Sequence, residues 1–594
     1  MLDLELDQQI CCQKSPLRDA LRWALGKQVI CCWISARSRL RTLSNSPALP
    51  RALLLVLSIA VVFVGCGKVG PLRISFSQSA PTVDAYDFIE ITAKISWPRV
   101  GNCFTDATLK GWFESADGSK RWPAEGFCDA EDGSVFRIRF MPALAGDYRY
   151  SVEYRQGAGR KSSTGSFHAS NGHLRGPIRI DPRYRWHFVW EGTGEHYFFN
   201  GTTAYWLAGW RDDHVIQASI ERLHKLKINR MRVSVAGRTN LFYGEPVMNG
   251  PNWTLFLTPW PARQADDVFH PGFDYRRFNV AYWQKFDRLL RYARDNDMII
   301  SLVLDMNDGR VHPDPGSNDE MRFIHYAIDR FSAFSNITWD LGDDLDGYRS
   351  RWWTHATGTL INELDPYKHL ATSHPMNNVH QDRTSEWFGF TSFQEWSRKQ
   401  HSFMLRQRSE QEKAGRIIPQ TNEEYGYEDH YPLWAQGPGS ESADALRRTA
   451  WDIVMAGGYQ TTGESARRGT NVWPDTGGGW MNGRGDDTMT MLQGYAHMVD
   501  FFTSFEWWKT DPHDELVSDG SYCLAEPGRF YAIYLPHGGA ATVRLLPGRY
   551  EARRFSPVTG EWNSFPPIEG SSWTSPATSG PDDCAFLLQR EQIR

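Results

Sequence analysis

The segment "MIISLVLDMND" (298–308) indicates the fold, because its middle is apolar at consecutive positions and its end is acidic. A strand that is apolar on both sides is typical of a parallel sheet covered on both faces. Around it, similar runs alternate with stretches of helical spacing, such as Trp283, Phe286, Leu290 and Ala293. Eight strand candidates follow one another in this way: 197–203, 228–236, 298–308, 336–344, 369–375, 389–395, 416–424 and 458–464. The repeat predicts a closed (β/α)8 TIM barrel over residues 180–508.

The regions on either side of the barrel are predicted to be all-β. From about 72 to 170, apolar and polar residues alternate between turn-rich connections such as "SADGSK", which favours a β-sandwich accessory domain. Residues 510–594 return to short alternating strands and predict a second, small β-sandwich. The chain of 594 residues is too long for one core. The predicted fold class is therefore multidomain: an N-terminal β-sandwich, a central TIM barrel and a C-terminal β-sandwich.

The N-terminal region resembles an export signal. Residues 52–65 form an apolar run of about fourteen residues, which suits a signal-peptide core better than a membrane span. Cys66 follows at once, as in a bacterial lipobox, and would be lipidated; a plain secretory signal or an uncleaved anchor is the alternative. Residues 1–50 are interpreted as a disordered or mis-called extension. We expect an exported protein of the bacterial cell envelope, an outer-membrane or periplasmic lipoprotein held at the membrane by its lipid or its apolar segment.

The four cysteines beyond Cys66 fall into two groups, Cys103 with Cys128 and Cys523 with Cys584. An even number, grouped by domain in an exported chain, predicts two local disulfides.

Charge and composition exclude one class of partner. The formal net charge is -5 and no long run of like charge occurs, so nucleic acid is not an expected partner. Aromatic residues make up 13% of the chain, which suits both core packing and stacking on sugars. The sequence has no His-Glu-x-x-His helix and no Gly-x-Ser-x-Gly turn, so a protease is not favoured.

Two acidic segments end the fourth and seventh strand candidates, "NITWDLGDD" (336–344) and "IIPQTNEE" (417–424). In a (β/α)8 barrel, strand ends meet at one rim, and glycosidic bond hydrolysis usually needs two carboxyl groups there. Asp340 is expected to lie deep and Asp344 to open onto the rim. Because side chains alternate along a strand, only one of Glu423 and Glu424 should face the barrel mouth, and alternation alone does not select which.

The barrel region resembles the apiosidase-like glycoside hydrolases. The matching pieces are "GTTAYW" (201–206), "NRMR" (229–232), "NITWDLGDD", "SHP" (373–375), Gln394, Pro419 and "EYGYE" (424–428). The resemblance implies a retaining enzyme with Asp344 as acid/base and Glu424 as nucleophile, although much of the clan has Asn-Glu at Asp343-Asp344. The flanking regions resemble an N-terminal β-sandwich domain of unknown function and a C-terminal collagen-binding-type β domain.

A wider set of residues is predicted to bind substrate near the two acids: Trp206, Arg232, Asp305, Asn307, His374, Gln394 and Tyr427. We expect a polysaccharide or oligosaccharide partner and no metal or cofactor. The predicted activity is retaining hydrolysis of plant or algal polysaccharide side chains or backbones by double displacement. The alternative is a non-catalytic surface lipoprotein that binds polysaccharide on its barrel. The sugar, its linkage and exo or endo action stay open.

Overall fold

The computed structural model describes residues 73–235, 252–254, 257–264, 270–306, 312–378, 381–428, 440–464, 479–485, 490–578 and 580–591. These residues belong to one compact unit, which spans 72–594. Within those ranges, no helix is long and apolar enough to cross a membrane. The predicted extension, the apolar run 52–65, Cys66 and Asn307 lie outside the described residues.

The N-terminal region is a β-sandwich, as predicted. Its strands are β1 (Arg73–Gln78), β2 (Thr82–Asp84), β3 (Ile89–Ser96), β4 (Ala107–Ser115), β5 (Arg121–Glu125), β6 (Phe127–Cys128), β7 (Val135–Phe140), β8 (Gly146–Gln156) and β9 (Gly159–Ser170). They form two sheets, ordered β1-β3-β7-β6 and β2-β9-β8-β4-β5. The inward residues of the alternating strands, such as Ile91, Phe113 and Tyr154, pack between the sheets.

A small antiparallel sheet precedes the barrel. It consists of β10 (Ile178–Ile180), β11 (Phe188–Trp190) and β12 (His196–Tyr197). Phe188 packs against Phe199 and Tyr459, which begin or adjoin barrel strands, so this sheet covers the end of the barrel where the strands start.

The central region contains the predicted eight parallel strands. They are β13 (Asn200–Thr203), β14 (Arg230–Ser234), β15 (Ile299–Val303), β16 (Ile337–Asp340), β17 (Ala371–Thr372), β18 (Phe393–Gln394), β19 (Thr421–Glu424) and, after the short pair β20 (Tyr427–Glu428) and β21 (Ser440–Glu441), β22 (Tyr459–Thr462). Their order in the sheet is β17-β16-β15-β14-β13-β22-β19-β18. The eight strand candidates of the sequence each contain one of these strands.

The curled sheet closes between β17 and the chain leading into β18. The Gly389 amide donates to the Ala371 carbonyl over 2.7 Å, and the Thr372 hydroxyl donates to the Phe390 carbonyl over 2.7 Å. No helix lies between these two strands in residues 373–378 and 381–392, so the strand–helix alternation is incomplete at this point.

Helices surround the barrel and bury one face each. They are α1 (Asp213–Lys225), α2 (Val280–Asp295), α3 (Asn318–Phe331), α4 (Arg351–Leu364), α5 (Gln400–Ala414), α6 (Ala443–Met455), α7 (Gly479–Asn482) and α8 (Met491–Phe502). In α1 the buried Ile216, Ile220 and Leu223 recur at helical spacing. Asp212 caps this helix by accepting from the amide of His214.

The C-terminal region is one antiparallel sheet ordered β23-β24-β25-β28-β26-β27. Its strands are β23 (Asp511–Pro512), β24 (Tyr522–Glu526), β25 (Phe530–Leu535), β26 (Thr542–Phe555), β27 (Trp562–Thr574) and β28 (Cys584–Arg590). The long β26 and β27 change register twice along their pairing, and such irregularities bend a hairpin over its own core.

The predicted disulfides are wrong: Cys103, Cys128, Cys523 and Cys584 are all free thiols. Cys523 is opposite Ile533 and Cys584 opposite Leu535, so the two cysteines lie on strands separated by β25 and two positions out of register. A disulfide needs Cα atoms within about 7 Å, which this arrangement does not allow. The thiols of Cys103 and Cys128 both lie close to the Ala130 carbonyl, 3.7 and 3.1 Å away, and form a hydrogen bond with each other rather than a disulfide.

A buried ionic network joins the sandwich to the barrel. Asp287 on α2 accepts from Arg139 of β7 over 2.8 Å and from Arg330 of α3 over 2.7 Å. Arg139 also pairs with Glu90, and Arg330 with Asp129. Burial opposes the ionisation of Asp287, but the two guanidinium groups lower its pKa to about 2.

We expect Asp287→Asn to destabilise the folded protein by about 3 to 5 kcal/mol, because two buried guanidinium groups lose their shared counter-charge. Because the folded-state pKa is depressed, this stabilisation is complete above about pH 4 and is lost as the pH falls towards 2. Urea unfolding followed by tryptophan fluorescence measures the loss. Asp295→Asn, an exposed change on the same helix, is the control; equal stability of both variants would contradict the prediction.

Candidate active site

Polar side chains from five strand ends meet at the rim of the barrel where the strands finish. Tyr205 follows β13, Arg232 lies on β14, Asp343 follows β16, His374 follows β17 and Glu424 ends β19. Because parallel strands finish on the same side of a barrel, residues distant in sequence are brought together there.

Two fully buried arginines of β14 form the floor of this site. Arg230 and Arg232 are two positions apart, so both side chains point into the barrel. Arg230 pairs with Glu423 and donates to the Ser301 hydroxyl over 2.7 Å. Arg232 lies 3.2 Å from Asp340, 2.9 Å from Asp343 and 3.4 Å from Glu423. Asp340 is therefore deep, as expected.

Above the arginines, Asp343, His374 and Glu424 form a compact cluster. Their nearest side-chain nitrogen and oxygen atoms all lie within 4.8 Å of one another. His374 Nε2 is 3.5 Å from Glu424 Oε2 and 3.7 Å from Asp343 Oδ1. Tyr205 accepts from Arg232 over 2.8 Å and donates to Asp343 Oδ1 over 3.0 Å. Gln394 donates to Glu424 Oε1 over 3.0 Å.

Both Glu423 and Glu424 reach this interior, so the expectation that only one would do so is wrong. Strand β19 carries a bulge: Phe393 is opposite Asn422, but Gln394 is opposite Glu424, so Glu423 is the extra residue. A bulge interrupts the alternation of side chains. Asn422 faces outward to Gln400 on α5, Glu423 faces Ser392, and Glu424 faces Gln394.

The pKa values of the neighbouring Glu423 and Glu424 are shifted in opposite directions. Burial raises the pKa of Glu424 to about 7, although Arg232 and the nearby side chains of Tyr427, Gln394 and Tyr205 act to lower it. Burial likewise raises the pKa of Asp340 to about 7. Burial also acts on Glu423, but Arg230 and Arg232 hold the pKa of its carboxyl below the usual value. Environments that separate the pKa values of nearby carboxyl groups are typical of acid–base sites.

Asp344, the predicted acid, follows the cluster residue Asp343 directly. Its backbone has a φ of 52°, which is left-handed, and it begins the short 3-10 turn Leu345–Gly347. Left-handed non-glycine residues cost free energy and concentrate at functional sites. The residue is of intermediate burial, and its Oδ1 is buried. Its acid role stays a prediction.

Of the remaining predicted residues, Tyr427 and Trp206 lie beside the cluster and Asp305 does not. Tyr427 hydrogen-bonds to Glu424, and Trp206 lies next to Tyr205 with ring centres 5.5 Å apart. Asp305 instead forms a buried ion pair with Arg349, 2.6 Å away, in a separate network with Glu320. Burial raises the pKa of Asp305 despite this pairing.

Sequence reasoning missed Tyr205, Arg230 and Ser392 as parts of the site. Tyr205 and Arg230 lie within the quoted motifs "GTTAYW" and "NRMR". Two arginines two positions apart in an otherwise apolar strand were the available signal, because buried cations require carboxylate partners. Ser392 carried no such signal.

The spacing of Asp343, His374 and Glu424 alone would suit a metal ion. The donor chemistry does not favour one, because Asp343 Oδ1 already accepts hydrogen bonds from Tyr205 and from the Arg232 guanidinium. A divalent cation on the same oxygen would lie beside that buried positive charge and be repelled by it. The three residues therefore suit a polar cluster that binds a hydrogen-bond donor better than they suit a metal site.

Comparisons with known proteins agree with this geometry. Residues 82–155 match a domain of unknown function, DUF5060. A protein assigned as a glycoside hydrolase from Bacteroides vulgatus ATCC 8482 has a similar structure, with a TM-score of 0.71, 19% identity, and coverage of 86% of this chain and 100% of that one. A family 5 glycoside hydrolase from the same organism gives a TM-score of 0.54, 16% identity, and coverage of 70% and 94%.

No curated protein matches the chain. The expected resemblances are confirmed: residues 241–463, which include most of the barrel, match the family described as the apiosidase-like catalytic domain, and the barrel fold is similar to that of solved glycoside hydrolases.

Proposed function

We propose that the protein is a retaining glycoside hydrolase that acts on side chains or backbones of plant or algal polysaccharides. The observation that supports this most directly is Glu424, a buried rim carboxyl with a raised pKa, beside His374 and Asp343. Such a carboxyl, with hydrogen-bonding neighbours at a barrel rim, has the setting of a catalytic group.

The proposed mechanism is double displacement. Ionised Glu424 attacks the anomeric carbon while Asp344 gives its proton to the leaving oxygen, and a glycosyl ester forms on Glu424. Asp344 then takes a proton from water, whose oxygen attacks the anomeric carbon and releases Glu424. Gln394 and Tyr427 hold Glu424 by hydrogen bonds, and Asp343, held by Arg232, is placed to accept from a sugar hydroxyl.

We expect Glu424→Gln to lower turnover by at least about 10³-fold, because the attacking oxygen is replaced by an amide. The measurement is reducing-end release from pectin, xylan and algal polysaccharides, with 4-nitrophenyl glycosides to identify the sugar. Glu363→Gln, an exposed change on α4, is the control. Glycan binding without release, equal in both variants, would instead identify a binding platform.

Asp344→Asn should slow hydrolysis of polysaccharide by about 10² to 10⁴-fold, because the leaving oxygen loses its acid. The first step with a 4-nitrophenyl leaving group should suffer less, since 4-nitrophenolate departs without a proton. Asp343→Asn is the matched comparison. If Asp343→Asn, and not Asp344→Asn, slows polysaccharide hydrolysis more than the first step with a 4-nitrophenyl leaving group, Asp343 is the acid and the assignment to Asp344 fails.

We expect kcat/KM to rise with pH to a plateau through a pKa near 7, the value to which burial raises Glu424. kcat/KM should increase with pH because a nucleophile must be ionised, and the ionised fraction of Glu424 grows as the pH increases through its pKa. Initial rates on a small aryl glycoside between pH 4 and about 9 test this. A fall in activity across pH 7 would assign Glu424 the acid role instead.

We also propose that the chain is exported and anchored through lipidated Cys66, which lies outside the described residues. Cys66→Ser should move the protein from the membrane fraction to the soluble envelope fraction. Unchanged fractionation, measured by immunoblot in a bacterial host, would favour an uncleaved anchor.

A further inference from the structure

A buried chain of hydrogen bonds runs from Glu423 to the catalytic cluster. The hydroxyl oxygen of Ser392 lies 2.6 Å from Glu423 Oε2 and 2.8 Å from His374 Nδ1. All three side chains have no exposed surface. Solvent therefore does not supply alternative partners along this chain.

The direction of each hydrogen bond follows from the donors available. Arg230 and Arg232 keep Glu423 ionised, and an ionised carboxylate only accepts. Ser392 has one hydroxyl hydrogen, which it donates to Glu423, so its oxygen must accept from His374 Nδ1. Burial lowers the pKa of His374 to about 3, so the ring is neutral. Its Nε2 then carries a lone pair.

That lone pair faces two carboxyl groups. Nε2 has no hydrogen-bond partner among the described residues and lies 3.5 Å from Glu424 Oε2 and 3.7 Å from Asp343 Oδ1. Both distances exceed a normal hydrogen bond. When Glu424 is ionised, as the proposed nucleophile must be, three acceptor atoms surround one small space, and the group that fills it favourably must donate hydrogen.

Resting on the glycosidase activity proposed above, we infer that Glu423 and Ser392 are positioning residues that make His374 Nε2 the acceptor of a substrate hydroxyl. The sugar held beside Glu424 must then present a free hydroxyl at this point. A carboxylate, a sulfate or a methyl ether there would place another acceptor against Asp343, His374 and Glu424. The hydroxyl next to the anomeric carbon is the nearest one to a nucleophile at Glu424.

The histidine tautomer can be measured without substrate. In two-bond ¹H–¹⁵N correlation on histidine-labelled protein, the ring whose signals are absent from the His374→Asn variant should have hydrogen on Nδ1 and none on Nε2. Ser392→Ala should shift this ring towards a mixture of tautomers, and Ser392→Thr should restore it. A hydrogen on Nε2 of His374, or a stoichiometric metal in the purified protein by elemental analysis, would overturn the inference even if the enzyme is active.

Substrate discrimination gives the functional test. The probes are the 4-nitrophenyl glycoside that the panel selects and its 2-deoxy counterpart. In Ser392→Ala the preference for the hydroxylated probe should fall by about 10-fold, which is the effect expected from the loss of one buried hydrogen bond. Ser392→Thr should remain within about threefold of the wild type, because the hydroxyl is kept.

Ser301→Ala is the matched control, because Ser301 is equally buried, bonds to Arg230 and has no recorded contact with His374. Its preference for the hydroxylated probe should equal that of the wild type. If Ser301→Ala and Ser392→Ala reduce the preference equally, Ser392 acts only through general packing and the positioning role is refuted. If no probe is turned over, the proposed function fails, and the tautomer measurement still decides the state of His374.

Discussion

The site depends on two positive charges that β14 holds inside the barrel. Arg230 and Arg232 point inward because they are two positions apart on a strand, and neither has exposed surface. A buried guanidinium group is tolerated only with carboxylate partners. Glu423, Asp340 and Asp343 supply them from β19 and from the end of β16. The ion pairs thereby connect β14 across the barrel interior to strands that are not its neighbours in the sheet.

The charges in this interior do not balance, and the imbalance accounts for the reactive carboxyl. Four carboxyl groups, Asp340, Asp343, Glu423 and Glu424, face two guanidinium groups, which leaves two carboxyl groups in excess. Glu423 lies against both arginines and has a lowered pKa. Asp340 and Glu424 are the two whose pKa burial raises to about 7. Because Glu424 is the outer of these, its protonation is open to influence from a bound sugar.

The eight barrel strands could be predicted because buried parallel strands require long apolar runs, which the chain shows one after another. The exact set of side chains that point into the barrel could not be predicted. The bulge at Glu423 and the left-handed Asp344 depart from strand alternation, and tertiary contacts produce both. Gly342 illustrates the cause: a Cβ there would lie 2.9 Å from the Asp305 carbonyl, so the chain turns where only glycine fits. The disulfide between Cys523 and Cys584 failed similarly, because strand register is a long-range property.

The proposed division of roles between Asp343 and Asp344 rests on the different settings of the two residues. Asp343 Oδ1 receives hydrogen bonds from Tyr205 and Arg232, which engage it as an acceptor and fix its orientation. A group so held suits the orientation of a hydroxyl rather than delivery of a proton. Asp344, the next residue, has a left-handed backbone and is of intermediate burial. In the proposed mechanism the proton donor must face the side from which the leaving group departs, and Asp344, which is not part of the cluster of Asp343, His374 and Glu424, is the aspartate proposed for that role.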